Sequence, residues 1–448
     1  MLQILNTLTK QVDQIKPTSD KLRMYSCGPT VYDYAHIGNM RSYIIADTIY
    51  RTLQTNQQQV DWVMNLTDVD DKTIKGTIKQ FGDQANVANL AQYTQTYIDL
   101  FLQDLTKANI DPQKIRFIKV SEVIPQIQDF ILKLIDKGYA YQADDGSSYF
   151  NIQKYQDDFG DYGQLVGEKF LEGKKIGARV KVDEYEKDNL SDFALWKAWD
   201  QDDAQIFWDH PTLGKGRPGW HIECSVINQV AFGNQSTHIH TGGVDLTFPH
   251  HTNEIAQSQP FYKPFVEHWI HSEHLMFDNK KMSKSLGNYT RVMDIEEKGF
   301  DALDLRYLTL QSAYNKQANF TWEALQAARN SRIKLQTSTT GQPFEQAFLD
   351  SINDNLNTAQ ALAIALADKD NWDAYEPTLG LLSQKQTNDQ EIDLPDLPQN
   401  LQELLDQREK ARKSQDFGLS DKIRDQIKSL GYEVVDTSSG QTVHKLPN

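Results

Sequence analysis

The sequence predicts an α/β fold: a parallel sheet split in sequence by an insertion, followed by an α-helical bundle and a small C-terminal module. Three observations predict it. A strand–helix–strand pattern occupies roughly residues 22–70, the α/β alternation resumes near residue 237 after an irregular stretch, and the pattern beyond residue 300 is helical. The first strand candidate, LRMYSC at 22–27, runs into a Gly-Pro-Thr turn. The next segment, GNMRSYIIADTIYRTL, places Ile44, Ile45, Thr48, Ile49 and Leu53 on one helical stripe, and QVDWVMNLTDV then reads as a buried strand. Such a βαβ unit builds a Rossmann-type parallel sheet. Its ligands lie beyond the carboxyl ends of the strands, where Cys27, Gly28, His36, Thr67 and Asp68 fall.

From about residue 120 to 205 the pattern is mixed, with SSYFNI as a short strand candidate and EGKKIGARVKVDEYEKDN as a charged stretch, which reads as an insertion. STHIHTGGVDLTF is then a strand leading into a Gly-Gly turn, HTNEIAQSQ opens a helix, and VEHWIHSEHLMF reads as another strand. Beyond residue 300, ALDLRYLTLQSAY, TWEALQAARNSRIKLQT and AFLDSINDNLNTAQALAIALAD suit a helical bundle. SQKQTNDQEIDLPDLP is polar and proline-ended, as a linker is, and LQELLDQREKARKSQ opens a last module. The expected division is the first half of the sheet domain at 1–120, the insertion at 121–208 and the second half of the sheet domain at 209–275. A loop and linking region follows at 276–315, the bundle at 316–382, the linker at 383–398 and the final module at 399–448.

A chain of 448 residues predicts two to four domains and excludes a lone small binding module. With 39% hydrophobic, 24% charged and 10% aromatic residues it has the makings of a packed core. The start lacks a basic segment followed by a long apolar run, and no stretch of about 18 apolar residues occurs, so neither a signal peptide nor a membrane span is expected, and the cytoplasm is. The net charge of −16 excludes a non-specific nucleic-acid coat, which needs clustered cations. Residues 401–448 balance eight cations against eight carboxylates, so the tail is the part least repulsive to a polyanion. Redox grounds argue against a disulfide between the only two cysteines, Cys27 and Cys224, leaving inert core thiols or metal ligands.

KMSKS at 281–285, followed by Leu286, Gly287 and Asn288, supplies two lysines, Lys281 and Lys284, able to neutralise charge developing on a departing pyrophosphate. A solvated surface turn is the alternative. HIGN at 36–39 lies between the first strand and the first helix. There Gly38 lets a phosphate approach the helix N-terminus and His36 can donate to a phosphate oxygen, unless His36 is only a cap. Together the two signatures bracket one nucleotide site and resemble those of the class I aminoacyl-tRNA synthetases. Glu254 follows His250 by four residues, so both project from one helical face. With Cys27 and Cys224 they would give a mononuclear site suited to Zn²⁺, with His251 or His221 as possible substitutes.

The segments YSCGPTVYDYAHIGN, NLTDVDDK, DFALWK, GRPGWHIECS, GGVDLTFPHHTNEIAQS and KMSKSLGN resemble the cysteinyl-tRNA synthetase family in that family's own order, and REKARKSQDFGLSDKIRDQIKSLGYEVVD resembles its anticodon-binding end. The resemblance covers almost the whole chain. It implies one zinc per chain, held by Cys27, Cys224, His250 and Glu254, with the substrate thiolate on the metal. It implies Thr67, Trp220 and His240 around L-cysteine, and Gly38, Asn39, Gly242, Gly243, Asp245 and Lys284 around ATP and its Mg²⁺. His36, Lys281 and Lys284 would be catalytic, and Arg412, Asp421 and Asp436 would contact tRNA(Cys). A monomer is expected. Zinc makes physical sense, because shape alone separates cysteine from serine by only on the order of a hundredfold, whereas a soft metal prefers a thiolate. The chain departs from the family pattern at Asn39, where a second histidine is common, and at Thr241 and Thr252; Thr241 could narrow the nucleotide approach. The rivals are a ligase joining cysteine to an amino sugar in mycothiol synthesis, which lacks the anticodon-binding end, and an inactive RNA-binding or zinc-sensing paralogue, which would be expected to have lost a signature lysine or a ligand.

Overall fold

The computed structural model describes residues 1–16, 21–160, 162–167, 175–180, 189–282, 288–335, 337, 338, 340–382, 398–414, 417–430, 432–437 and 440–445. The chain divides into two units, Met1–Leu382 and Ser383–Asn448. Lys284, most of the charged stretch at 172–189 and nearly all of the expected linker lie outside the described residues.

The larger unit opens with a hairpin of β1 (Gln3–Asn6) and β2 (Gln11–Gln14). The foreseen βαβ unit follows as β3 (Leu22–Ser26), α1 (Ile37–Thr55) and β4 (Val60–Leu66). Both strands are buried along most of their length, as strands covered on both faces are, and the stripe Ile44, Ile45, Thr48, Ile49 and Leu53 is buried on α1. Next come α2 (Asp71–Phe81), α3 (Val87–Lys107) and β5 (Ile115–Lys119), which the sequence reading left unassigned although Leu90, Tyr93, Ile98, Phe101 and Leu105 form a buried stripe on α3. The insertion contributes α4 (Ile124–Asp136), β6 (Ala140–Gln142), β7 (Ser148–Phe150), α5 (Ile152–Phe159), β8 (Lys175–Val180) and β9 (Asn189–Ala198), and β10 (Gly216–Pro218), beyond its expected end at residue 208, pairs with β9. Its strands form a separate sheet in the order β10-β9-β7-β6, with β8 beside β9. The main sheet then resumes through α6 (Trp220–Phe232), β11 (Thr237–Gly243), α7 (Thr252–Ser258) and β12 (Val266–Ser272).

The main sheet has the order β12-β11-β3-β4-β5 and is parallel throughout. Strand order reverses between β3 and β11, where Thr241 pairs with Ser26, so a crevice opens beyond the ends of these two strands. That is where Cys27, Gly242 and Gly243 emerge.

Two segments differ from the sequence reading. VEHWIHSEHLMF is two strands: β12 ends at Ser272, and β13 (Leu275–Phe277) joins β14 (Lys280–Lys281) and β15 (Ala318–Phe320) in a second small sheet. The break falls where the Glu273 amide donates to the Tyr314 carbonyl (2.9 Å) and the Glu273 carbonyl accepts from Arg41. The KMSKS signature therefore begins on β14, not at the end of the main sheet. The bundle follows with α8 (Val292–Glu297), α9 (Ala302–Leu310), α10 (Trp322–Arg332), α11 (Gln346–Asn353), α12 (Thr358–Ala367) and α13 (Trp372–Leu379). The single helix read in AFLDSINDNLNTAQALAIALAD is thus split into α11 and α12, because Asn355 and Leu356 take left-handed backbone (φ 50 and 52). The turn lets Asn355 Oδ1 accept from the Leu5 amide (2.9 Å) and the Tyr314 hydroxyl (3.0 Å).

The smaller unit holds α14 (Gln399–Lys413), α15 (Phe417–Ser429) and the hairpin β16 (Tyr432–Thr437) with β17 (Gly440–Lys445), around Leu401, Leu405, Ile423, Ile427 and Val434.

Candidate active site

Cys27 follows β3 directly, and its amide donates to the Thr241 carbonyl (3.1 Å), pinning it beside the end of β11. Cys224 sits one turn into α6, His250 in the irregular turn before α7, and Glu254 in the first turn of α7. One ligand atom from each of these four side chains lies within 4.8 Å of all the others. Cys27 Sγ is 3.9 Å from Cys224 Sγ and 3.9 Å from Glu254 Oε1; His250 Nε2 is 3.3 Å from Cys224 Sγ and 3.2 Å from Glu254 Oε1. Tetrahedral zinc with bonds of about 2.0 to 2.3 Å sets its ligand atoms about 3.3 to 3.8 Å apart. The four distances given lie within about 0.1 Å of that range, so the donor set fits the ion in kind and spacing.

Cys27 and Glu254 also group with His240 and His251, whose ligand atoms meet the same distance test. The first set fits better, because it has two thiols, and His240 and His251 are bonded as its outer layer. His240 Nε2 faces Glu254 Oε2 (3.0 Å), while His251 lies 3.3 Å from Cys27 Sγ and bonds His271 Nε2 through Nδ1 (2.7 Å). His250 Nδ1 lies 3.0 Å from His221 Nδ1. With His250 Nε2 turned to the ligands, Nδ1 carries the proton and His221 accepts it. Trp220 stacks on His250 at 4.3 Å and Trp269 on His240 at 4.4 Å.

Burial, reinforced by Cys224, pushes the Cys27 thiol and the Glu254 carboxyl well above their usual ranges. Burial also drives His240 and His271 down to about 3, and His221 and His251 well below the ordinary range. Cys224 runs the other way: against burial, bonds from Cys27 and Tyr25 with His240 nearby lower its thiol pKa. A bound dication would favour the deprotonated thiols and carboxylate over their protonated forms.

The same cluster borders a cleft of about 430 Å³ lined by Cys27, His36, Trp220, Gly243, Asp245 and Lys281, among others. Both signatures thus reach the cleft that Cys27 lines. His36 is the N-cap of α1: its Nδ1 accepts from the Gly38 amide (3.0 Å) and the Asn39 amide (3.2 Å), which leaves Nε2 as the protonated, outward nitrogen. Those two amides are occupied by the cap, so the requirement for glycine at 38 is spatial. A Cβ there would lie 2.8 Å from the His36 ring and 2.9 Å from the Met282 methyl. Asn39 completes the capping box by accepting from the His36 amide through Oδ1 (3.3 Å), which turns its NH₂ outward as a donor. A Cβ on Gly242 would lie 2.7 Å from the His251 ring, so the Gly-Gly turn packs directly on the outer layer of the candidate ligand set.

Thr67 and His240 are fully buried and sit behind the cleft lining: Thr67 Oγ1 donates to Glu223 Oε2 (3.3 Å). The Thr241 hydroxyl lies 2.7 Å from Ser26 Oγ inside the sheet, and Thr252 donates to the Thr247 carbonyl (2.8 Å). In the smaller unit Arg412 is exposed on α14, whereas Asp421 and Asp436 fall on α15 and β16 with side chains outside the described residues. Sequence reasoning missed His271, Glu223, Lys72 and Tyr289. Lys72, in NLTDVDDK, and Tyr289, just after KMSKSLGN, line the cleft, and proximity to a signature was the signal available for both.

Residues 13–330 match the family model described as tRNA synthetases class I (C) catalytic domain, and residues 394–443 that of the cysteinyl-tRNA ligase anticodon binding domain. Among solved structures, methionyl-tRNA synthetase of Mycobacterium tuberculosis in complex with methionyl-adenylate superposes with a TM-score of 0.53 at 14% identity, covering 86% of this chain and 87% of that one. This parallel sheet with its paired signatures is that of a class I aminoacyl-tRNA synthetase. The chain is 40% identical over 480 residues to the cysteine–tRNA ligase of Chlamydia caviae and 41% identical over 480 residues to that of Chlamydia felis, in each case over 99% of this chain and 98% of the relative. It belongs to the cysteine–tRNA ligase family.

Proposed function

We propose that the chain joins L-cysteine to the 3′ end of tRNA(Cys) in two steps and selects cysteine by zinc–thiolate bonding. The cysteine carboxylate attacks the α-phosphorus of ATP, giving cysteinyl-adenylate and pyrophosphate; the terminal adenosine hydroxyl of tRNA then takes the cysteinyl group and AMP leaves. The observation that carries this reading is the close set Cys27, Cys224, His250 and Glu254, one member of which, Cys27, lines the cleft that both signatures line. Those four residues would hold the ion, and bound zinc supplies a soft Lewis acid that accepts a thiolate and disfavours a hydroxyl.

The remaining work is positioning and charge stabilisation. His36 Nε2–H and the Asn39 NH₂ donate toward phosphate oxygens, and the N-terminus of α1 adds its positive end. Lys281 lines the cleft and, with Lys284, is assigned to the charge on departing pyrophosphate. Trp220, Thr67 and His240 are assigned to the amino-acid end, and Gly243 and Asp245 to the adenosine. The C-terminal match favours tRNA over an amino sugar as acceptor. Arg412, Asp421 and Asp436 are assigned to anticodon bases.

Cysteine-dependent exchange of pyrophosphate into ATP, with metal analysis of the same preparation, tests the reading. A zinc-replete chain without exchange would sink it, and charging of the amino sugar in place of tRNA would transfer it to the rival ligase. Cys224→Ser is expected to lower zinc content and weaken cysteine binding by more than about tenfold, since loss even of a residue that only supports a metal ligand costs about 10- to 100-fold. ATP affinity should hardly change. Full zinc occupancy and ordinary cysteine affinity in that variant would refute the ligand assignment.

A further inference from the structure

Once ligating, the proposed set would carry more negative charge than its ion carries positive. Two thiolates and a carboxylate around a dication leave one net negative charge, and a substrate thiolate would make it two. The side chains paired with Glu254 among the described residues are histidines, not lysine or arginine, and burial holds His240 and His251 neutral. Hydrogen-bond donors therefore have to offset that charge. Two of the three anionic groups face such a donor: Glu254 Oε2 lies 3.0 Å from His240 Nε2, and Cys27 Sγ lies 3.3 Å from His251 Nε2. The third, Cys224 Sγ, lies 3.3 Å from His250 Nε2, a nitrogen the ion itself would occupy.

Tyr25 is placed to serve the third. It stands two residues before Cys27 at the end of β3, which sets the two side chains on one face of the sheet. It pairs in register with His240 of β11, the two ring centroids 4.9 Å apart. Its fully buried hydroxyl is in reach of the Cys224 sulfur but short of good hydrogen-bond geometry, and no other group bonds it. We propose that Tyr25 is a positioning residue for cysteine selection, its hydroxyl donating to the Cys224 sulfur when that sulfur is a metal-bound thiolate. The inference rests on the zinc–thiolate reading above. A neutral thiol accepts weakly, so the buried hydroxyl is poorly satisfied without the ion; a thiolate accepts a charge-assisted bond and recovers that loss. Charge drawn from Cys224 leaves the ion better able to take a further thiolate.

The test is Tyr25→Phe in the full chain, which removes the hydroxyl and keeps the ring against His240. Zinc affinity, read by competition with a chelator, is expected to fall about 10- to 100-fold, the usual cost of losing a group that supports a metal ligand. In pyrophosphate exchange at saturating zinc the KM for cysteine should rise about tenfold and the KM for ATP stay within about twofold. The urea midpoint of the metal-free chain should stay the same or rise, since the variant buries one poorly satisfied polar group fewer. With cobalt in place of zinc, the sulfur-to-metal charge-transfer band should move to longer wavelength, because a thiolate relieved of a hydrogen bond gives up an electron more easily. Zinc affinity and band position equal to the parent's would overturn the assignment alone. So would a metal-free variant destabilised as much as its zinc binding is weakened, which would make the hydroxyl merely structural. A parent chain that takes up no zinc, or whose cobalt band ignores added cysteine, would overturn the zinc–thiolate reading and this assignment with it.

Discussion

At the scale of single residues, the chemistry turns on which atoms are already spoken for. His36 could be read from the sequence as a cap or as a phosphate ligand; the geometry shows the cap, and because capping uses Nδ1 it leaves Nε2 as the protonated nitrogen for the phosphate role proposed above. The same competition between burial and partners governs Asp104 on α3, which is 7% exposed, has Lys107 at 3.9 Å and lies near Glu296. Burial raises its pKa to about 6, more than Lys107 can offset. The folded chain therefore holds this proton more tightly than the unfolded one. The associated stability is complete below about pH 3.9 and is lost as pH rises through about 6. Asp104→Asn, neutral at every pH, is expected to stabilise the protein by about 2 kcal/mol at pH 8, with the gain vanishing near pH 4. Thermal unfolding at the two pH values checks this, and an equal gain at both would contradict it. The four proposed ligands were legible because the chain has two cysteines and because His250 and Glu254 stand four apart. The outer imidazoles were less so: His221, His251 and His271 meet across three elements, and no local spacing announces a layer built by tertiary packing.

At the scale of elements, α1 connects the site to the bundle. Its N-terminus carries His36; its middle carries Asp47, bonded to Arg51 (2.7 Å) and to the fully buried Arg306 of α9 (2.6 Å). Arg306 also donates to the carbonyls of Leu379 (2.8 Å) and Ala108 (3.1 Å), so one guanidinium joins α1, α9, and the ends of α3 and α13. A Cβ on Gly380, which has φ +63, would lie 3.0 Å from both Arg306 and Arg51, leaving no room for rearrangement. Arg306→Ala would leave a buried carboxylate with one partner fewer and two carbonyls without theirs. It is expected to destabilise the larger unit by about 3 kcal/mol, seen as a lower urea midpoint. Arg306→Lys should not restore it, since an ammonium cannot span the three acceptors in one plane; a midpoint within error of the parent would show the network to be dispensable. The main sheet was legible wherever strands are buried on both faces, as in β3, β4 and β11. The breaks at Glu273 and Asn355 were not, because each is set by a bond to a segment remote in sequence.

At the scale of the whole molecule, two units of very different size divide the task. The larger has extensive apolar cores on both sides of a five-stranded sheet, whereas the smaller packs two helices and a hairpin around a cluster that, among the described residues, includes Leu401, Leu405, Ile423, Ile427 and Val434. A unit of only 66 residues has marginal stability, so the smaller unit is expected to unfold first. The charge is also unevenly distributed: residues 1–400 carry the entire net −16, while residues 401–448 are balanced. If amino-acid activation belongs to the larger unit and tRNA recognition draws on the smaller, truncation after Leu382 will separate them. Pyrophosphate exchange should stay within about threefold of the full chain, because the proposed ligands and both signatures lie before that residue. The kcat/KM for charging tRNA should fall at least about a hundredfold. Its dependence on salt should flatten as phosphate and base contacts are lost with the cations of α14 and α15. Calorimetry should lose the lower of two transitions. Exchange that collapsed with the truncation would place part of the activation chemistry in the smaller unit, and charging that survived it would remove the smaller unit from tRNA recognition.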